Sequence, residues 1–156
     1  METDAHRHTR DCTWVYEEAT VDWVELSELY RIAPLGEKPP EVLAVVFGNS
    51  MYKCFLYADG RLVGAGRVLA DGVDAAYIAD VAVHPDHQGR GLGAAIIQEL
   101  VRLASGHRKI LLYANPGTEG FYAKLGFRRL KTAMAIFADP AHAIESGLLE
   151  EVAGKA

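Results

Sequence analysis

Cross-linking chemistry is scarce in this chain, which has two cysteines among 156 residues. Cys12 and Cys54 lie far apart and beside no metal-ligand spacing, which excludes a disulfide-stapled scaffold; both are expected to be reduced and structural. Long apolar runs are lacking as well. The longest, around Val81, falls well short of the roughly eighteen residues a membrane span requires, so no membrane partner is expected. Residues 1–11 hold no apolar stretch of the kind a secretory signal carries, and the expectation is a cytoplasmic protein with a flexible N-terminal segment. Basic residues are not in excess: 16 Lys and Arg stand against 21 Asp and Glu, for a net charge of −5. Without a cationic stripe to neutralise phosphates, nucleic acid is not an expected partner. No repeat or low-complexity stretch appears.

What is present is ordinary globular material, 50% apolar and 24% charged, enough for one continuous core. Residues 12–138 read as a single domain and 139–156 as a C-terminal tail, helical from Ala141. Cys12 to Glu17 is strand-like. Val21 to Ile32 repeats its apolar residues at near-helical spacing and stops before Pro34, and Pro39-Pro40 suits entry into a second short helix over Glu41–Phe47. Tyr52–Ala58 and Leu62–Leu69 read as strands joined at Asp59-Gly60, a type I′ hairpin signal. Ala75–Val83 is apolar except for Asp80, as a central strand covered on both faces should be. A long helix over Gly91–Ser105, a strand over Lys109–Ala114, a short helix over Thr118–Leu125 and a last long strand over Phe127–Phe137 follow. The order β-α-α-β-β-β-α-β-α-β predicts an α/β fold of the mixed-sheet (α+β) kind, with helices on both faces.

The most informative stretch is Val81-Ala82-Val83-His84-Pro85-Asp86-His87-Gln88-Gly89-Arg90-Gly91-Leu92-Gly93-Ala94. An apolar strand is stopped by His84-Pro85, and a glycine-rich turn then opens straight into a helix. Alternating glycines let several backbone N–H groups converge at a helix N-terminus, where unpaired amides and the helix dipole favour an anion, and Arg90 adds a positive charge. A nucleotide P-loop would need a Gly-Lys-Ser/Thr ending, which is missing. Gly89, Gly91 and Ala94 satisfy the dinucleotide fingerprint, but several strands precede the loop, and the next strand lacks the required acid at its end. The pattern Gln/Arg-x-x-Gly-x-Gly/Ala fits Gln88-Gly89-Arg90-Gly91-Leu92-Gly93 at every defined position.

On this motif the chain resembles the GCN5-related N-acetyltransferases. A second motif adds to the likeness: Asn115-Pro-Gly-Thr-Glu-Gly-Phe121-Tyr122-Ala-Lys-Leu125-Gly126-Phe127, an Asn after a strand followed by Phe-Tyr-x-x-Leu-Gly-Phe. The two motifs cover about residues 78–137, and the run from Ile78 with Ala133-Met134-Ala-Ile-Phe137 is loosely similar to the arylalkylamine N-acetyltransferase branch. The resemblance implies acetyl-CoA as cosubstrate, with its pyrophosphate on Gln88, Gly89, Arg90, Gly91, Leu92, Gly93 and Ala94. It implies that pantetheine lies along Val81, Ala82 and Val83 like an added strand, a backbone N–H near Val81 or Ala82 polarising the thioester. Asn115 would bond the pantetheine arm, or simply form the turn before Pro116.

The resemblance implies transfer of acetyl to a primary amine of a small molecule by direct attack in a ternary complex. The other readings are acetylation of a protein N-terminus or lysine, and a non-catalytic acyl-CoA sensor. Tyr122 is the candidate general acid, since a phenol is protonated at neutral pH and can hand its proton to a departing thiolate; the alternative is a packing tyrosine. Asp80 is the candidate base acting through water, provided its carboxylate is unpaired in the apolar strand, or else a satisfied structural group. Strand alternation could point Asp80 away from the acceptor, and a water chain without a dedicated base is the further option. His84, Asp86 and His87 resemble a metal cluster but sit on the anion loop without further ligands, so no metal is expected. The family often forms homodimers, which makes a homodimer an expectation here.

Overall fold

The computed structural model of the protein describes residues 9–154. Of the expected loose start, residues 1–8 lie outside the described residues, while Thr9 and Arg10 are helical. The chain divides into two compact units, Met1–Leu112 and Tyr113–Ala156, a boundary that falls within the expected 12–138 domain.

The first unit is a sheet of five strands in the order β1-β2-β3-β4-β5, formed by Thr13–Val15, Tyr52–Ala58, Arg61–Ala70, Ala75–Val83 and Lys109–Leu111. Neighbours are antiparallel from β1 to β4, and β4 pairs with β5 in parallel. Helix α1 (Trp23–Ile32) starts at Asp22, whose carboxylate accepts from the Val24 and Glu25 N–H groups, and carries Arg31 in its last turn. Helix α2 (Pro40–Gly48) begins at its own proline, whose missing N–H costs nothing there. Helix α3 (Leu92–Leu103) follows β4. The β2–β3 turn holds Asp59 and Gly60 at φ +49° and +73°, the paired positive angles of the expected type I′ hairpin. At the β3–β4 turn the Asp71 carboxylate accepts from the Val73, Asp74 and Ala75 N–H groups, which holds it below the ordinary carboxylate range.

Helices cover both faces of this sheet. On one, Leu26, Leu29 and Tyr30 of α1 and Leu43 and Phe47 of α2 pack with Phe55, Ala65 and Ala82. On the other, α3 lies against Gly64 and Gly66: a Cβ built on either would stand 2.8 Å from Ile96 Cδ1 or Leu100 Cδ1 respectively. From Gly64 onward, strand alternation sends the even-numbered residues of β3 to the α3 face and the odd-numbered ones, Arg67 included, to the α1/α2 face.

The second unit contains α4 (Glu119–Lys124), closed by Gly126 at φ +94°, and α5 (Pro140–Glu145), capped by the Asp139 side chain. The expected last strand is corrected here. A turn at Lys131–Thr132 breaks residues 127–137, and among the described residues the run joins no ladder. Arg128, Arg129 and Lys131 crowd three cations into its first half. Its second half carries alternation only through Met134 and Ile136, both fully exposed at 97% and 101%. Two such short halves bury too little to hold a ladder by themselves.

Candidate active site

β4 and the loop after it form one continuous device. Its pairing with β5 covers only Ala75, Ala76 and Tyr77, so beyond Tyr77 no described strand pairs with that edge. The backbone itself says which groups face it. The His84 N–H donates to Val63 O across the β3 side at 2.8 Å, whereas Val83 O on the opposite edge accepts from Gln88 Nε2 at 3.0 Å. Alternation then puts Ala82 toward β3 and Val81 with Val83 on the open edge. Of the two candidate oxyanion donors, the Val81 N–H is the one turned outward.

The loop makes a short 3₁₀ turn over Pro85–His87, in which His84 Nδ1 accepts from the Asp86 N–H. His84 thus serves the turn. Gly89 and Gly91 follow at φ +74° and +81°, a left-handed geometry that side-chain-bearing residues rarely adopt. Gly91 is the N-cap of α3, no side chain caps that helix, and its first ladder bond runs from the Ala95 N–H to Gly91 O. The N–H groups of Leu92, Gly93 and Ala94 therefore precede the ladder, and Gln88, Gly89, Arg90 and Gly91 are exposed around them. This uncapped start of a three-turn helix has the amide geometry that suits an anion, and the Gln88 side chain ties it to the open strand edge.

Asp80 shapes the other end of the device. The β3–β4 register slips between Ala65 and Arg67, so Asp80 and Val81 together oppose Gly66, and Asp80 takes φ +54°. This bulge undoes plain alternation and brings the Asp80 carboxylate to the α1/α2 face. There Arg67 Nε donates to Oδ2 at 2.7 Å and Lys38 Nζ lies 3.2 Å from Oδ1. The Asp80 carbonyl accepts from Tyr30 Oη at 2.5 Å. The C=O of Asp80 and the N–H of Val81 belong to one planar peptide and point oppositely. Anchoring the carbonyl on Tyr30 therefore fixes where the Val81 N–H aims. Burial, and then the nearby Asp80 carboxylate, push the Tyr30 phenol well above its ordinary value, so it stays a donor. Ser50 completes the cluster, donating to Val46 O while Arg67 Nη1 approaches its Oγ at 3.3 Å.

Sequence reasoning found Asp80 but missed Arg67 and Lys38, and it did not foresee that the Tyr30 hydroxyl serves the Asp80 carbonyl. The available signal was Arg67, a lone charge inside the strand that neighbours the one bearing Asp80. Lys38 sits in a loop and Tyr30 on an ordinary amphipathic helix, and neither position is distinctive.

In the second unit, Asn115 is exposed and its carbonyl accepts from the Thr118 N–H and hydroxyl, the turn-forming arrangement. Tyr122 is half-buried on α4 between the rings of Phe121 and Phe127, with centroids 5.0 and 6.0 Å away and nearly perpendicular planes. Burial raises its phenol above the ordinary value.

An anion cradle at a helix start, joined to a strand edge open for an amide-bearing arm, is the equipment of an enzyme that handles an acyl carrier through its phosphates. Comparison makes the class specific. Residues 13–127 match the Acetyltransferase (GNAT) family, and the chain belongs to it. An uncharacterized ycf52-like N-acetyltransferase of Prochlorococcus marinus is 31% identical over 122 residues, 74% of this chain and 68% of that protein. Serotonin N-acetyltransferase 2, chloroplastic, of Oryza sativa subsp. japonica is 46% identical over 70 residues, 44% of this chain and 35% of the relative. Among solved structures, a GNAT-family acetyltransferase of Streptococcus pneumoniae TIGR4 superposes with a TM-score of 0.71 at 22% identity, covering 82% of this chain and 98% of that one. The last likeness speaks for the fold alone.

Proposed function

We propose that the protein transfers the acetyl group of acetyl-CoA to the primary amine of a small molecule by direct attack in a ternary complex. The observation that carries this reading is the open β4 edge linked through Gln88 to the uncapped start of α3. When bound, acetyl-CoA supplies the activated acyl group and a good leaving thiolate. The chain supplies the rest. The amides of Leu92, Gly93 and Ala94 with Arg90 hold the pyrophosphate, and the open edge from Val81 to Val83 pairs with pantetheine. The Val81 N–H, aimed by the Asp80–Tyr30 bond, donates to the thioester oxygen as charge develops on it. Tyr122 returns a proton to the thiolate; its raised phenol keeps that proton through neutral and mildly alkaline pH, so any fall in rate from its ionisation should begin only above about pH 10.

A small amine is favoured over a peptide by the relative named for serotonin. The test is thiol release from acetyl-CoA across a panel of small amines and lysine peptides, run beside calorimetric CoA binding. Turnover with small amines supports the reading, and turnover with peptides alone replaces the acceptor. CoA binding without turnover on any amine would make the protein an acyl-CoA sensor. Gly91→Val should weaken CoA binding about tenfold or more, because a β-branched residue at φ +81° strains the loop and blocks the cradle.

A further inference from the structure

The α1/α2 face already holds a primary amine against Asp80, and it is the chain's own. Lys38 Nζ lies 3.2 Å from Asp80 Oδ1 and 5.7 Å from the centroid of the Tyr30 ring. The Lys38 backbone is pinned, because its carbonyl accepts from Ser27 Oγ at 2.6 Å. Its side chain is nonetheless 29% exposed, and Lys38 lines a surface cleft of about 210 Å³ with Ser27, Glu28, Arg31, Glu37 and Pro39. The next residue after Asp80 is Val81, whose N–H is the thioester donor. The nitrogen of Lys38 is thus held on the α1/α2 face, against the residue that precedes Val81. The other lysines of the first unit lack this placement: Lys53 pairs with Glu18 at 9% side-chain exposure, and Lys109 pairs with Asp74 beyond the opposite end of β4.

We infer that Lys38 is an acetylation site of the enzyme itself, a tethered acceptor that Asp80 holds where an external amine would bind. This rests on the acetyl-CoA reading above. In the step, the Lys38 ammonium gives one proton to water, and the freed lone pair attacks the thioester carbonyl. The C–N bond forms and the C–S bond breaks. The products are Nζ-acetyl-lysine and CoA thiol, with one proton released overall. Acetylation strips the ammonium from Asp80 Oδ1 and leaves that oxygen to an incoming amine. An external acceptor competes for the same oxygen and slows the modification.

The experiment incubates the full chain with acetyl-CoA alone, with acetyl-CoA plus an accepted amine, and with CoA alone, then maps acetyl groups by peptide mass spectrometry. Calorimetric CoA binding and thiol release are recorded on the same preparation. Held proximity should make Lys38 react roughly tenfold or more faster than the exposed Lys109, Lys124 and Lys131. The added amine should slow it, and Gly91→Val should abolish the preference. Lys38→Arg, which keeps a cation beside Asp80, should remove the mark without moving it to another lysine. If the protein binds acetyl-CoA and acetylates amines while Lys38 stays unmodified, or modified no faster than Lys109, this inference fails alone. If it neither binds CoA nor acetylates anything, the acetyl-CoA reading and this inference fail together.

Discussion

On one face of the first unit's sheet, Gly64 and Gly66 bring α3 down onto bare backbone. On the other, Arg67, Asp80, Lys38 and Ser50 sit among the aromatic and aliphatic side chains of α1 and α2. Neither arrangement substitutes for the other. The α3 face positions a site made of main-chain amides, and close apolar packing fixes a helix terminus best. The α1/α2 face positions a bend in β4, and a bend with a left-handed residue needs directional partners. Charges beneath α1 and α2 are costly to desolvate and stay because each is paired.

The hardest way to break the contrast is to unpair a charge on the polar face. Arg67→Met removes the closer of the two cations on Asp80, whose side chain is only 17% exposed. It should cost about 3 kcal/mol and lower the melting temperature by roughly 10 °C. Adding Asp80→Asn should recover part of that loss, since the remaining group is then neutral. A single substitution with an unchanged melting temperature would mean the pair contributes nothing net.

Gly66→Ala tests the opposite face. Its new Cβ would meet Leu100 Cδ1 at 2.8 Å, Ile96 Cγ2 at 3.1 Å and Val81 Cγ2 at 3.3 Å. Those neighbours are side-chain tips, so they can shift, and the expected cost is about 2 kcal/mol, or roughly 5 °C. Because part of that shift passes to α3, CoA affinity should fall as well. Arg67→Met should instead leave CoA affinity nearly intact. Equal effects of the two substitutions on CoA binding would erase the division of labour between the faces.

Asp80 separates conformation from proton transfer. At φ +54° a left-handed backbone costs alanine about 1–2 kcal/mol, whereas glycine adopts it freely and asparagine with little penalty. If Asp80 serves mainly to hold the bulge, kcat should rank Asn and Gly above Ala, and the Asn variant should keep the shape of the wild-type pH–rate profile. That is the expected outcome, since both carboxylate oxygens already face cations. Equal losses in all three variants, with a flattened acidic limb for Asn, would restore Asp80 as the base.

The same two faces explain what could be read in advance. The glycine turn and the helix start after it were legible because such backbone geometry is written in glycine spacing, and Gln88 to Ala94 spell it out locally. The element order from β1 to β5 followed from period and punctuation, with Asp59-Gly60 and Pro39-Pro40 fixing the connections. The Asp80 bulge was not legible, because no local pattern announces an extra residue in an apolar strand. It depends on Arg67, Lys38 and Tyr30, brought together from three other elements. Residues 127–137 misled for a related reason: alternation marks a strand only where something pairs with it.

The smallest effect sits at the rim of the α3 face, where Glu99 accepts from Tyr16 Oη at 2.8 Å and from Arg102 Nε at 2.9 Å. The Arg102 guanidinium, and then the Tyr16 hydroxyl, hold the Glu99 carboxyl below its ordinary value; burial and the bond to Glu99 push Tyr16 up to about 12. Glu99 is lowered in the folded protein, so its contribution is present above the unfolded value near 4.5 and is lost as pH falls through the folded one. Tyr16 is raised, so its contribution is complete below pH 10 and fades as pH climbs through about 12. Between those limits the pair is at full strength. Tyr16 is 42% exposed, and solvent screening keeps such a pair to a few tenths of a kcal/mol, about 1 at most. Subtracting the melting temperatures of Glu99→Gln from those of the wild type across pH should therefore give a plateau of about 1–3 °C that declines on both sides. A flat difference would show that Glu99 acts on this face only through packing, and the rim would then be as apolar in effect as the helix above it.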